Sequence, residues 1–280
     1  MSMIHIGTSG FSFPDWMSSV YPADLNKDSL LPYYEQQLGF NTVELNFTYY
    51  AIPSFHIMEN MNKKTSKEFR FIVKGFKGIT HDPFDPRLKL KPSKDKVKEY
   101  FNSFCKSMEI FTNNKKLAGV LLQFPVFFIP TEETREYILK AKDMLLDIPL
   151  IVEFRNSKWN EEANFEFLKK HKIAYCAVDE PDYKELMPFV NEITSSDIAY
   201  LRFHGRSKEW FSSTVEKRYD YLYTKEELKE FVPEIRKMEN STKNVYVFFN
   251  NCHGGKAATN AKMMRDMLGL PFDPVQKDLF

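Results

Sequence analysis

The stretch Leu150-Ile-Val-Glu-Phe-Arg155 shows the sequence pattern most typical of the predicted fold. It is a short apolar run of the length of one strand, and its Val and Ile content is typical of a buried parallel strand. Because residues two apart on a strand share a face, Val152 and Phe154 lie on one side and Glu153 and Arg155 on the other. We therefore expect an apolar side packed on helices and a charged side turned to the interior of a barrel.

Similar apolar runs recur along the chain and alternate with helical patterns. With the run above, the predicted strands are Ile4–Thr8, Thr42–Asn46, Arg70–Lys74, Gly119–Phe124, Leu150–Arg155, Ala174–Asp179, Ile198–His204 and Val245–Asn250. Eight β-then-α units in about 270 residues is the count of a (β/α)8 TIM-like barrel, an α/β fold. Since no linker or change of composition divides the sequence, we predict a single domain over residues 1–280.

Helix ends carry recognisable signals between these strands. The first helix is predicted from near Asp28 to Leu38, where Gly39 can take the left-handed conformation, and the last over Lys256–Leu268, before Gly269. The predicted N-caps are Ser54, Thr131 and Thr224, the last in a capping box with Glu227.

A doubly wound open sheet is the main alternative fold. Its glycine-rich first turn is GxGxxG, whereas the first turn here is Gly7-Thr8-Ser9-Gly10, which favours the barrel. Two βα connections look long, Gly75–Lys91 after the third strand and Gly205–Tyr223 after the seventh. Long connections without regular structure are often functional.

Charge and composition exclude several classes of protein. The 39 Lys and Arg against 38 Asp and Glu give a net charge of +1, so no global attraction to nucleic acid or membrane is expected. Three widely spaced cysteines, Cys105, Cys176 and Cys252, argue against a disulfide framework or a cysteine-rich zinc site. The absence of a signal-peptide pattern and of an apolar run of about twenty residues predicts a cytoplasmic protein without a membrane span.

Charged residues alternate with apolar ones in several strands. Glu44 and Glu153 fall on the predicted inner face, as does Arg202, and burying unpaired charge is costly. These three residues therefore form either an internal salt-bridge network or part of a site. The strand C-termini, where active sites of this fold are assembled, carry a rim set of Asn46, Lys74, Gln123, Arg155, Asp179, His204 and Asn250.

The three tryptophans, Trp16, Trp159 and Trp210, follow the first, fifth and seventh strands. Large aromatic side chains over one barrel mouth suggest the walls of a binding cleft. The alternative is that they fasten the loops onto the barrel.

A glycine-rich turn, Asn250-Asn251-Cys252-His253-Gly254-Gly255-Lys256, leads from the eighth strand into the last helix. Glycines let backbone N–H groups face a ligand, and a helix N-terminus favours anions. Together with Arg206 after the seventh strand, Asn251 and Gly255 in this turn predict an anion site.

These motifs together resemble the YecE-like family, domain of unknown function 72. The resemblance rests on Gly7-Thr8-Ser9-Gly10-Phe11 with Trp16 and Tyr21-Pro22, Val43–Asn46 running into Phe47-Thr48-Tyr49-Tyr50, Lys74 with Thr80-His81, Leu122–Pro125, Glu153-Phe154-Arg155 with Trp159, Arg202–Gly205, and Phe249–Asn251 with Gly255, Ala257, Asn260 and Ala261. It covers about Ile4 to Leu268 and implies a TIM-like barrel whose function is unsettled. Asn156 departs from the His that family members commonly carry there.

Three functional hypotheses remain open. The first is an enzyme that binds a phosphorylated or otherwise anionic small molecule through Lys, Arg and His, with Glu44, Glu153 and His204 as the acid–base groups. The second is a metal-dependent phosphoesterase or nuclease-like protein with Glu44, Glu153, Asp179 and His204 as ligands. The third is a non-catalytic module for nucleotides or single-stranded nucleic acid. The sequence indicates no particular cofactor or oligomeric state.

Overall fold

Eight strands and nine helices alternate in the computed structural model, counted over residues 2–211 and 215–272, which the structure describes. The strands are β1 (Met3–Thr8), β2 (Thr42–Leu45), β3 (Arg70–Lys74), β4 (Leu117–Gln123), β5 (Leu150–Glu153), β6 (Ala174–Asp179), β7 (Ile198–Phe203) and β8 (Asn244–Phe249). All eight pair in parallel, in the order β1-β8-β7-β6-β5-β4-β3-β2. An isolated parallel bridge between Ser9 and Glu44 joins the β1 and β2 edges. The chain thus forms the predicted (β/α)8 barrel.

Helices cover the outside of this barrel. They are α1 (Leu30–Gln36), α2 (Phe55–Lys63), α3 (Lys77–Thr80), α4 (Lys94–Asn113), α5 (Glu132–Leu145), α6 (Glu162–Lys170), α7 (Val215–Arg218), α8 (Lys225–Ser241) and α9 (Lys256–Met267). Residues 180–197, between β6 and β7, contain neither helix nor strand, so the sixth unit lacks the helix expected of it. Pro181 and Pro188 lie in this segment, and proline both removes a backbone donor and disfavours helical geometry in the residue before it.

The predicted helix signals are confirmed in the structure. Ser54 and Thr131 accept hydrogen bonds from the third backbone N–H after them, and Thr224 and Glu227 form a reciprocal capping box. Gly39 and Gly269 have φ of 76° and 62° just after α1 and α9. A 3-10 turn at Lys27–Ser29 precedes α1 within the first predicted helix. The ends of these helices can therefore be predicted from the local sequence alone.

The two long connections carry short helices, contrary to the expectation that they lack regular structure. The connection after β3 contains α3, and the connection after β7 contains α7, with residues 212–214 outside the described part of the chain. Within residues 2–211 and 215–272, no helix is both long and apolar enough to cross a membrane.

Apolar residues fill the space between sheet and helices, and the barrel interior changes character along its axis. At the amino-terminal end of the barrel the His5 ring stacks on Tyr246, with 4.5 Å between ring centroids. Tyr200 and Phe248 follow above them, at 5.4 Å. Charged side chains occupy the next layer, so an aromatic plug lies below a polar mouth.

Helix capping supplies a test of the element boundaries. Ser93 Oγ accepts a hydrogen bond from the Lys96 backbone N–H at the start of the 20-residue α4. Ser93→Ala should lower the free energy of unfolding by about 1 kcal/mol, because one N-terminal N–H loses its acceptor. Ser103→Ala, at an exposed position within α4, should leave stability unchanged or slightly raised. Urea unfolding of both variants checks this, and equal effects would contradict the cap.

Candidate active site at the barrel mouth

A buried arginine lies at the centre of the barrel interior. Arg202 Nη2 lies 2.7 Å from Glu44 Oε1, and Arg202 Nη1 lies 2.5 Å from Glu153 Oε2. All three side chains are at most 1% exposed. The second Glu44 oxygen accepts a hydrogen bond from the Tyr200 hydroxyl at 2.7 Å. The inner charges on β2, β5 and β7 therefore form an internal salt-bridge network. This was one of the two alternatives predicted from the alternation of charged and apolar residues.

Arg155 extends the network toward the mouth. Its Nε lies 2.7 Å from Glu153 Oε1, and its Nη1 donates to Glu180 Oε2 at 2.5 Å. Burial acts to raise the pKa of Glu153, but Arg155 and Arg202 outweigh it and hold that pKa well below its usual value. With cations or hydroxyl donors on the oxygens of Glu44 and Glu153, the geometry favours a structural role for both over the predicted role of general base.

His204, at the end of β7, is completely buried beside Arg155. Arg155 Nη2 lies 3.1 Å from His204 Nε2, Glu153 Oε1 lies 3.3 Å from the same nitrogen, and Asn250 Nδ2 lies 2.9 Å from Nδ1. Burial and the two arginines, Arg155 and Arg202, hold the pKa of His204 well below its usual value. The ring is therefore neutral at physiological pH and suits hydrogen bonding better than cationic binding of an anion.

Glu180, directly after β6, is a member of this site that the sequence analysis missed. Burial and the neighbouring Glu153 raise its pKa to about 7, although Arg155 acts in the opposite direction. Its Oε1 makes no hydrogen bond of normal geometry within the described residues. The sequence does indicate that Glu180 faces the interior. Residues two apart on a strand share a face, and Cys176, Val178 and Glu180 are spaced in this way along the inner face. Glu180 is thus a buried carboxyl group able to exchange a proton near neutral pH.

Asp179, by contrast, lies on the outer face of β6. Arg206 Nη2 donates to Asp179 Oδ1 at 2.8 Å, and the Tyr223 hydroxyl donates to Asp179 Oδ2 at 2.5 Å. Tyr223 packs edge-on against Phe203 on the helix side of the sheet. The predicted ligand-binding residues Asp179 and Arg206 are therefore placed away from the mouth, where they fasten the connection after β7.

Lys74 approaches the mouth from the end of β3. Among the residues that the structure describes, its Nζ makes no hydrogen bond or ion pair, and it lies 5.0 Å from the centroid of the Tyr49 ring. His81 packs edge-on against the same Tyr49 ring at 4.9 Å. Burial and the nearby Arg202 lower the pKa of Lys74 to about 8, while Glu153 and Glu44 act to raise it. The mouth thus contains a half-buried amine that has no counter-ion within residues 2–211 and 215–272.

Two amides complete the rim. Asn46 Nδ2 donates to the Ser9 carbonyl at 3.4 Å, while its Oδ1 is buried without a partner among the described residues. Gln123 Nε2 donates to the Phe124 carbonyl at 2.9 Å. Asn46 therefore retains an unsatisfied acceptor at the rim, whereas part of the Gln123 amide is used by the backbone.

The tryptophans separate into two groups. Trp16 and Trp159 are fully buried, and their indole N–H groups donate to the carbonyls of Cys252 and Phe128. Both residues therefore fasten loops to the barrel, which was the alternative reading of the pattern. Trp210, 4% exposed, lies beside the charged network, with its ring 5.8 Å from Arg155 Cζ. It is the tryptophan that borders the mouth.

Groups of the chain itself occupy the glycine-rich turn before α9. The Gly254 backbone N–H donates to Asp15 Oδ2 at 2.6 Å, and the Gly255 N–H donates to the Cys252 carbonyl. Asn251 is buried and donates to the Tyr221 carbonyl. An intramolecular carboxylate thus lies where the anion was predicted, and Asn250 is the residue of this turn that contacts the charged network, through His204.

The predicted metal ligands do not converge. Glu44 and Glu153 bind Arg202, while Asp179 lies on the opposite face of the sheet from His204. Over residues 2–211 and 215–272, no group of three His, Cys, Asp or Glu side chains is arranged to hold a metal ion. Two surface clefts, one lined by Gly39 and Arg265 and one by Lys169 and Thr194, lie at the amino-terminal end of the barrel and do not include the rim.

Comparison with known proteins agrees with the resemblance seen in the sequence. Residues 5–279 match the family described as protein of unknown function DUF72. The chain is 33% identical to the UPF0759 protein YunF of Bacillus subtilis (strain 168), over 99% of this chain and 100% of that protein. A crystal structure of a DUF72 family protein from Thermotoga maritima is 40% identical, with a TM-score of 0.86 over 95% of this chain and 99% of the other. One from Enterococcus faecalis is 30% identical, with a TM-score of 0.84 over 99% and 100%.

The central arginine should be indispensable for stability. Arg202→Met leaves the buried Glu44 without a cation and Glu153 with Arg155 alone, so the free energy of unfolding should fall by about 3–5 kcal/mol. Arg87→Met removes an exposed ion pair with Asp85 and should leave the urea midpoint unchanged. A small effect of Arg202→Met in urea unfolding would show that Glu44 and Glu153 do not depend on Arg202 for charge compensation.

The raised pKa of Glu180 should appear as a pH-dependent stability. Between the ordinary value of 4.5 and about 7, the folded state binds more protons than the unfolded state, so the contribution of Glu180 falls as pH rises through that window. Relative to Glu180→Gln, the wild type should therefore be less stable at pH 8 than at pH 5. Glu185→Gln, at an exposed neighbouring position, should show no such change. Urea unfolding at both pH values measures the difference, and a constant difference for Glu180→Gln would refute the assignment.

Proposed function

The chain belongs to the DUF72 family, and we propose that it is an enzyme that binds a small anionic molecule at the carboxyl-terminal mouth of its barrel. The unpaired Lys74 ammonium is the observation that carries this proposal. Arg202 and Arg155 form ion pairs with Glu44, Glu153 and Glu180, whereas Lys74 Nζ forms no ion pair among the described residues and lies over the Tyr49 ring. A half-buried cation without a counter-ion favours a ligand that supplies the negative charge.

Arg155 is the second group that could contact the anion. Its side chain is 10% exposed, while Arg202 below it is buried. Trp210 borders Arg155, so a ligand at this position would meet both a guanidinium and an aromatic edge. The Gly254 and Gly255 backbone N–H groups of the glycine-rich turn donate to Asp15 and Cys252, so they are not part of the anion site proposed at the mouth.

Acid–base chemistry is supported by the titratable group beside Arg155. Glu180 can release or accept a proton near neutral pH, and the neutral His204 ring can form hydrogen bonds beside it. Glu180 replaces the predicted pair of Glu44 and Glu153, whose oxygens are bound to cations and a hydroxyl. A non-catalytic binding module would use the same anion contacts without needing a carboxyl group of raised pKa.

Anion binding is tested by thermal unfolding with inorganic phosphate and glycerol 3-phosphate at constant ionic strength, with neutral glycerol as the matched control. A ligand at a hundred times its dissociation constant adds about 2.7 kcal/mol, a shift of several degrees for a chain of this length. Lys74→Met should abolish the shift. The same substitution should raise the stability of the free protein by about 1 kcal/mol, because it removes an uncompensated cation.

Lys256→Gln is the control for the alternative anion site, since Lys256 lies at the start of α9 and pairs there with Asp220. This variant should retain the anion shift. Loss of the shift in Lys256→Gln together with its persistence in Lys74→Met would move the site to the glycine-rich turn. Absence of any anion shift in the wild type would overturn the proposal.

A further inference from the structure

We infer that Lys74 is a nucleophilic lysine that forms an imine with a carbonyl compound carrying an anionic group, while Arg155 holds the anion. This inference rests on the proposed function and names its substrate class. Anion binding alone would require only the positive charge of Lys74. Three features of its surroundings suit nucleophilic chemistry instead.

The first feature is that the amine is free to react. No acceptor among the described residues holds Lys74 Nζ, whereas the buried Lys116 donates to the carbonyls of Asn62 and Thr65. The Lys74 backbone is fixed, because its carbonyl accepts a hydrogen bond from Thr48 Oγ1 at 2.6 Å. A rigid strand end therefore presents a side chain whose terminal nitrogen has no role in holding the fold together.

The second feature is the electrostatic environment of the amine. A lysine becomes nucleophilic when it is desolvated or placed beside another cation. Lys74 meets both conditions, since it is half-buried and lies close enough to Arg202 and Arg155 for both to lower its pKa. With a pKa of about 8, about a tenth of Lys74 is the free amine at pH 7. An ordinary lysine there is almost entirely protonated.

The third feature is a neutral imidazole beside the amine. The His81 ring packs on the same Tyr49 ring as Lys74 Nζ, and its Nδ1 lies 2.9 Å from Thr80 Oγ1. Burial and the cations Lys74 and Arg155 lower the pKa of His81 to about 3, which keeps the ring neutral. A neutral ring can form hydrogen bonds at this position without adding a second positive charge beside the amine.

The chemical step balances when its protons are counted. The Lys74 ammonium first gives one proton to solvent, the neutral amine adds to the carbonyl carbon, a carbon–nitrogen bond forms, and one proton passes from nitrogen to the carbonyl oxygen to give a neutral carbinolamine. The oxygen then takes one proton back from solvent, the carbon–oxygen bond breaks, and water leaves. The net reaction converts a lysine ammonium and a carbonyl compound into a protonated imine and water, with no oxidant or reductant.

Borohydride trapping tests the inference on the full chain. Pyruvate and glyceraldehyde 3-phosphate are the probes, and methyl pyruvate and glyceraldehyde are their uncharged counterparts. Reduction of the imine should leave Lys74 with a permanent adduct of the mass of the probe less one oxygen atom, located by peptide mass spectrometry. Labelling of Lys74 at pH 7.5 should exceed that of the exposed Lys89 at least tenfold and should be several times faster with the charged probe.

Two variants separate this chemistry from anion binding. Lys74→Arg keeps a positive charge but removes the reactive amine, so the adduct at this position should disappear. Lys89→Arg should leave labelling of Lys74 unchanged. A wild-type chain that shows the anion shift but labels Lys74 no faster than Lys89 overturns the inference and leaves the proposed function intact. An adduct on Lys74 without any anion shift supports the nucleophile and overturns the proposed function.

Discussion

The buried ion pairs of the Arg202 guanidinium hold the charged residues of the site in place. The guanidinium joins β7 to Glu44 on β2 and to Glu153 on β5, across the interior of the barrel. Glu44 also stands at the parallel bridge with Ser9, where the β1 and β2 edges of the sheet meet. A buried guanidinium needs compensating charge, and buried carboxylates need a cation. The same contacts therefore satisfy the charges and link three strands.

Pairing around Arg202 determines what is left over at the mouth. Arg202, Arg155 and Lys74 are three cations, and Glu44, Glu153 and Glu180 are three carboxyl groups. When Glu180 is protonated, the set carries one excess positive charge, and a bound anion would neutralise it. Anion binding and protonation of Glu180 should therefore favour each other, which couples the proton donor to the presence of the ligand.

Much of the fold and of the charged network can be predicted from short-range patterns in the sequence. Neighbouring positions alone determine where short apolar strands lie, where helices are capped and where charged residues alternate with apolar ones. The sequence therefore predicts the barrel, and it gives the inner Glu44–Arg202–Glu153 network as one of two alternatives. Parity applied to β6 would also have chosen Glu180 over Asp179, since residues two apart share a face. Choosing Asp179 followed strand-end position alone and ignored the face on which its side chain lies.

The remaining differences required contacts between residues distant in sequence. That Asp15 fills the glycine-rich turn before α9 depends on a loop 239 residues away, and a helix N-terminus accepts a carboxylate of its own chain as readily as a ligand. Trp16 and Trp159 likewise donate to loop carbonyls whose positions are set by the folded barrel. Position near a strand end thus predicts proximity to the mouth but not whether a polar group is already satisfied.

That distinction divides the charged residues by role. Arg202, Glu44 and Glu153 satisfy one another in full burial, so their removal should be felt first as lost stability. Lys74 forms no such ion pair among the described residues, and burial and the nearby Arg202 disfavour its charged form. A cation kept where it destabilises the free protein is most simply explained by what it does to a ligand, because activity is the usual reason for local destabilisation. The layer of paired charges can then be understood as the rigid support for Lys74 and Glu180 at the strand ends.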